Sequence, residues 1–185
     1  MQLLLFKLCA HSHAITLLRL PFDKTTIKRD EVQLRMMLTT AYRFLKAMAV
    51  DFPLVQGELA QSLELFVSHT SANLVAYDVS PTGCINAIVQ DNRDACTKVT
   101  MDTVRHFVEI AGQDHTPRHL RFLRMIVAPE GSVIKGNQDL VVEALADCKD
   151  ALVLFNDAAG QEQRAKLIAV QVIAPHSPLP QHIRS

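Results

Sequence analysis

The chain has 185 residues and a mass of 20.6 kDa, and its 19 basic and 19 acidic side chains cancel to a formal charge of zero. Apolar residues make up 49% and charged residues 21%, which excludes intrinsic disorder, and a neutral chain lacks the broad basic field of a binder of nucleic acid or anionic membrane. With 8 Phe, 2 Tyr, no Trp and only 6 Gly, it falls short of the turn-and-aromatic profile of a β-sandwich, so composition points to a globular, helical chain of about one domain.

In chain order, Met1–Cys9 is apolar with no capping residue before it, which reads as a chain that begins within a helix. It does not read as a signal peptide, because Lys7 interrupts the apolar run and no basic residue precedes it. Leu34, Met37, Leu38, Ala41, Leu45, Met48 and Ala49 recur at helical spacing and predict one helix. After Pro53, the residues Val55, Leu59, Leu63, Phe66 and Val67 predict a second, continuous one. Val104, Phe107, Val108 and Ala111 mark a third, entered through Thr100 and Asp102 and closed by Gly112. Leu120, Leu123, Ile126 and Val127 mark a fourth, between Pro117 and Pro129, and Gln138–Ala146 a fifth that packs through Val141, Val142 and Leu145.

Breaks are expected at Pro21–Asp30, Thr70–Asn73, Ser80–Gly83, Gln113–Thr116 and Pro129–Gly136. Ala151–Phe155 reads equally as a short strand or a last helical turn, and Ile173–Ser185, with Pro175, Pro178 and Pro180 and no periodicity, as an extended tail. No stretch approaches the ~18 uninterrupted apolar residues of a membrane helix. The expected fold is all-α, a short armadillo-like α-solenoid of antiparallel helical hairpins, with a compact bundle as the alternative. The expected division is a helical domain over 1–157 and a Pro-rich extension over 158–185.

The four cysteines, Cys9, Cys84, Cys96 and Cys148, never form a CxxC pair and read as reduced core residues of a cytosolic protein. The stretch Gly131-Ser132-Val133-Ile134-Lys135-Gly136-Asn137-Gln138 has the glycine spacing of a P-loop. Asn137 and Gln138 stand where phosphate and magnesium need Lys and Ser/Thr, so it reads as a turn between helices. His11 and His13, two apart on a helix, face apart, and Pro117 separates His115 from His119, so these histidines read as solvated rather than as metal ligands. There is no GxSxG elbow, Cys96 reads as a buried helix cysteine, and no carboxylate pair stands out as an acid/base couple. No catalytic, cofactor-binding or metal-binding residue is therefore assigned, and no cofactor is expected.

Charge is polarised along the chain: residues 1–50 hold 8 basic and 3 acidic groups, net +5, and residues 51–100 hold 2 and 6, net −4. Arg118, Arg121 and Arg124 repeat every three residues on one helix and read as a solvated face or as a docking site for an acidic neighbour.

From about His13 to Asp157 the order of segments resembles the RIH domain, the ryanodine and inositol trisphosphate receptor homology domain of intracellular calcium-release channels. The likeness is carried by His13-Ala14-Ile15 and Leu20-Pro21-Phe22, by Asp91-Asn92-Arg93-Asp94-Ala95-Cys96 with Val99-Thr100, and by the helix Val104–Ile110. It continues through Leu120–Val127, Glu130-Gly131 with Lys135, Gln138–Val142 and Leu152–Asp157, the last two most like the second such domain of inositol trisphosphate receptors.

The resemblance implies a non-catalytic helical coupling domain that relays ligand binding to a pore. Its partners would be other domains and subunits of a large, tetrameric channel, on the cytosolic face of the endoplasmic reticulum membrane. It implies no nucleic-acid partner, no membrane insertion by this segment and no direct inositol trisphosphate contact; Arg118, Arg121 and Arg124 stay without a role, and the ryanodine receptor branch stays open. The residues expected to carry the coupling are packing residues: Phe107, Leu120, Leu123, Ile126, Val141 and Leu145. The alternative is a free cytosolic helical-repeat adaptor that binds protein partners through its +5 and −4 segments.

Overall fold

The computed structural model describes residues 1–20, 27–70, 81–114, 117–148, 161, 162 and 165. The chain divides into two units, Met1–Ala151 and Leu152–Ser185. In the second unit the described positions are helical, and the expected Pro-rich tail and the ambiguous Ala151–Phe155 lie outside the described residues.

The first unit is all-α, with no strand among the described residues. Its elements are α1 (Gln2–Lys7), α2 (Ala10–Leu18), α3 (Ile27–Ala49), α4 (Pro53–Ala60), α5 (Leu63–Ser68), α6 (Pro81–Val89), α7 (Arg93–Thr97), α8 (Met101–Asp114), α9 (Pro117–Val127) and α10 (Lys135–Asp147). A single 3-10 turn, Pro129–Gly131, separates α9 from α10. Neighbours in sequence lie side by side (α1 on α2, α2 on α3, α8 on α9, α9 on α10), which gives the solenoid-like row of helical hairpins expected for this all-α chain.

Helix ends are closed by side chains where backbone groups would otherwise be orphaned. Gln2 Nε2 donates to the carbonyls of Ala47 and Val50, both at 2.9 Å, satisfying the C-terminus of α3. Pro53 opens α4 at its first turn, where a missing N–H costs nothing. The Thr100 hydroxyl accepts from Thr103 N at 3.3 Å and caps α8.

The helix α6 is the hub, packing against α3, α4, α5, α7 and α9. Pro81, Thr82, Cys84, Ile85, Ala87, Ile88 and Val89 are all buried and only Gly83 and Asn86 are half-buried, so nearly its whole circumference meets other helices. That removes the amphipathic stripe by which a surface helix is read, and the sequence Pro-Thr-Gly at its start reads as a break. The expected break over Ser80–Gly83 is thus corrected: Gly83 lies inside α6.

Two further boundaries differ from expectation. The helix predicted across Val55–Val67 is interrupted between α4 and α5, where Gln61 N and Ser62 N turn back to Glu58 O and Leu59 O in tight three-residue bonds. Its stripe nevertheless stays buried on both sides of the break, Val55 and Leu59 from α4, and Leu63, Phe66 and Val67 from α5. The helix expected to close at Gly112 runs on to Asp114, with Gly112 itself buried. The bounds of the short helix α7 carry no periodic signal, although Cys96 within it reads from sequence as a buried helix cysteine and is one.

Candidate functional site: a buried polar spine

Three buried amides tie the middle of the fold together. Gln56, on α4, donates from Nε2 to Ala87 O at 2.9 Å and Gln90 O at 3.1 Å, the closing carbonyls of α6. Asn92 donates from Nδ2 to Gln56 Oε1 at 2.9 Å, while its Oδ1 accepts from Ala95 N at 2.9 Å and so caps α7. Asn137, on α10, donates from Nδ2 to Cys96 O at 2.9 Å and Ile126 O at 2.8 Å, the carboxy-terminal carbonyls of α7 and α9.

These side chains expose only 3%, 9% and 5% of their surface, so each removed donor would leave carbonyls dry and unpaired. The Cys96 thiol extends the line, donating to Val89 O at 3.3 Å. Burial, with Asp91 adding to it, pushes that thiol up to about 11, so it stays protonated as a donor. Asp91 itself adopts a left-handed backbone, φ 50°, which turns the chain from α6 into α7. Around the spine, Lys98 Nζ donates to Gly57 O at 3.3 Å and ties the end of α7 to α4.

The packing residues divide. Phe107 and Phe122 stack with ring centroids 4.0 Å apart at an interplanar angle of 24°, and Phe107, Leu123 and Ile126 are buried in the core. Val141 and Leu145 pack half-buried against it. Leu120 is 53% exposed and Val142 60% exposed, which corrects their placement in the core. On α9 the buried arc passes through His119, Phe122, Leu123 and Ile126, and Leu120 lies outside it beside the exposed Arg121 and Arg124. Arg121 and Arg124 share that outer face; the side chain of Arg118 lies outside the described residues.

Two histidines expected to be solvated are buried. His11 stacks on Phe6 at 5.0 Å, and His119 lies 6.0 Å from the Phe107 ring. His13 is exposed, so the HxH pair does face apart, and His115 lies outside the described residues. Among the described residues no three His, Cys, Asp or Glu side chains cluster as a metal site would require. The glycine-rich stretch follows a helix rather than a strand. Gly131 holds φ 75° in the exposed 3-10 turn, and Ile134 N returns to Val127 O at 2.8 Å. That is a helix–helix turn, as its sequence implied.

A second polar cluster closes α5. Tyr42 OH, on α3, is hydrogen-bonded to His69 Nδ1 at 2.7 Å. The Thr70 hydroxyl gives its one proton to Val67 O at 2.7 Å and accepts from His106 Nε2, which joins α8 to the end of α5. Burial holds both imidazoles below their ordinary range; at His106, Glu109 opposes the shift and His119 adds to it.

No sequence signal singled out Gln56 or Asn137, whose partners lie up to 36 and 41 residues away. Asn92 had one, an Asn directly before Arg93-Asp94-Ala95 in the manner of a helix N-cap. It falls within the Asp91–Cys96 stretch that carries the family likeness. No helix among the described residues is long and apolar enough to cross a membrane.

RIH domains are non-enzymatic regulatory modules on the cytosolic side of endoplasmic reticulum calcium channels. Residues 2–154 match the RIH domain family, covering the described helices from α1 to α10, and the chain belongs to that family.

Proposed function

We propose that this chain is a helical coupling segment of an intracellular ligand-gated calcium-release channel, closest to an inositol trisphosphate receptor, in which it passes ligand-driven displacement toward the pore. It does so as a mechanical element, without catalysis and without contacting the ligand itself. Its partners are neighbouring domains and subunits of a tetrameric channel, and its place is the cytosolic face of the endoplasmic reticulum membrane. The helical domain over 1–157 is the coupling unit.

The observation that supports this reading best is the Gln56–Asn92–Asn137 spine. A relay element must resist internal deformation, because displacement absorbed by loose packing is not transmitted. Hydrogen bonds between the ends of α4, α6, α7, α9 and α10 oppose sliding of these helices past one another, and apolar packing alone does so less specifically.

An immunoblot with antibody to this domain, on fractionated source cells, tests the reading. It predicts a band of several hundred kilodaltons in internal membranes. A band near 20.6 kDa in the soluble fraction would contradict it and support the adaptor.

A further inference from the structure

The α2 and α3 helices part to leave a groove of about 520 Å³ open to solvent, lined by Ala10, Ala14, Met36, Met37 and Phe44 among others. Val32 and Met36 extend this apolar edge along α3, 61% and 64% exposed. The surroundings are net basic: residues 1–50 hold 8 basic and 3 acidic groups, the acidic ones being Asp23, Asp30 and Glu31, whose side chains lie outside the described residues. Over 1–20 and 32–50 the described side chains include Lys7, Arg19, Arg35, Arg43 and Lys46, all exposed, and not one carboxylate. Among the described residues none of these cations has an ion-pair partner; the ion pairs there belong to Arg105, with Glu143 and Asp147.

We propose that the α2–α3 groove docks an amphipathic α-helix that carries apolar anchors on one face and carboxylates along its flanks. Ala10 and Ala14, four apart, share one face of α2 and let a second backbone approach closely. Met36 and Met37 supply adaptable walls. The α2 helix, nine residues and thus about 13 Å long, matches the roughly 10 Å spanned by anchors at i, i+3/i+4 and i+7 of a bound helix. Charge decides the occupant. A second copy docked symmetrically by the same face would set the same cations against themselves, which like-charge repulsion opposes, whereas an acidic flank is complementary to Arg43 on the open edge of α3. The surface is the same whether the chain works within a channel or alone.

The test is to pan the full 185-residue chain against a displayed library of helix-forming peptides of about four turns, with random surface positions. The expected result is enrichment of net-acidic peptides with apolar residues at i, i+3/i+4 and i+7. Their retention should fall about tenfold with Met36→Glu or Arg43→Glu and stay unchanged with Leu120→Glu on α9. Both groove residues are exposed, so neither variant threatens folding, which circular dichroism checks. The proposal is overturned by no enrichment, by neutral or basic binders, or by binders indifferent to both groove variants. It is equally overturned if the groove instead mediates self-association, seen by sedimentation, or adsorption to phosphatidylserine vesicles, with either one lost in Met36→Glu.

Discussion

Asn92 and Gln56 share one hydrogen bond, Nδ2 to Oε1 at 2.9 Å, and between them they close the end of α6 and the start of α7. Gln56 uses its amide nitrogen on the closing carbonyls of α6, and Asn92 uses its carbonyl oxygen on the opening N–H groups of α7. Neither amide has spare capacity to lose in a buried site. Asn92→Ala should therefore cost about 2 kcal/mol, combining a lost cap with an unpaired Gln56 oxygen. Asn92→Asp keeps the cap but loses the donor, and should recover only part of the loss. Urea unfolding of both variants checks this, and equal stabilities for Asn92→Ala and wild type would show the bond to be idle.

Asn137 tests the same idea at α10. Asn137→Leu strands the carbonyls of Cys96 and Ile126 in a dry interior, at a cost of about 2–4 kcal/mol. Leu120→Ala, on the exposed face of the adjacent helix, should stay within about 0.5 kcal/mol of wild type. Thermal melts of the two variants should separate clearly. If they coincide, either the Asn137 bonds or the exposure of Leu120 is wrong.

The Phe107–Phe122 stack joins α8 to α9 through fully buried rings. Each Phe→Ala change should cost about 3–5 kcal/mol. A double-mutant cycle should return a coupling of about 0.5–1.5 kcal/mol beyond area burial, read from denaturant midpoints. A coupling of zero would mean that the rings are merely near each other.

Stability should fall with acidification. His69 and His106 are held below their ordinary pKa of 6.5 in the fold, so the unfolded chain binds protons first. Their contribution is complete above pH 6.5 and is lost as pH drops below it toward the depressed folded values. At His69 the cause is burial, which opposes charging the ring that meets the Tyr42 hydroxyl. His69→Gln should lower stability at pH 7.5 and flatten the slope between pH 7 and pH 5.5, measured by chemical denaturation across that window. An unchanged slope would place the pH dependence elsewhere.

Thiol reactivity follows burial. Burial pushes Cys84 up to about 12 and Cys96 to about 11, while Cys9 sits exposed in a left-handed turn between α1 and α2. Iodoacetamide at pH 8 should alkylate Cys9 in the native protein and spare Cys84 and Cys96 until denaturant is added, as read by peptide mass spectrometry. Labelling of Cys96 at the rate of Cys9 would contradict its place in the spine.

What the sequence made legible follows from where each signal lies. The amphipathic helices α3, α8, α9 and α10 announce themselves by period, and their stripes point where the periodicity said they would, apart from Leu120 and Val142. The hub helix α6 is hard to read because burial on nearly every side erases period, and its Pro81 and Gly83 imitate a turn. Buried His11 and His119 read as surface residues in the sequence because nothing local reveals the aromatic rings they meet, Phe6 and Phe107. The spine was the least readable part. Gln56 and Asn137 look like ordinary polar helix residues until the chain brings distant carbonyls to them. The family, by contrast, was legible from the order of the segments, though each segment taken singly is only a packing pattern.

The most direct test of the coupling account is native-state hydrogen exchange on wild type and Asn92→Ala. If the spine makes one rigid unit, amides in α4, α6, α7 and α9 should open with a shared free energy, and the substitution should lower all four together. If only α7 loosens while α4, α6 and α9 keep their protection, Asn92 is a local cap, and the spine does not couple these helices.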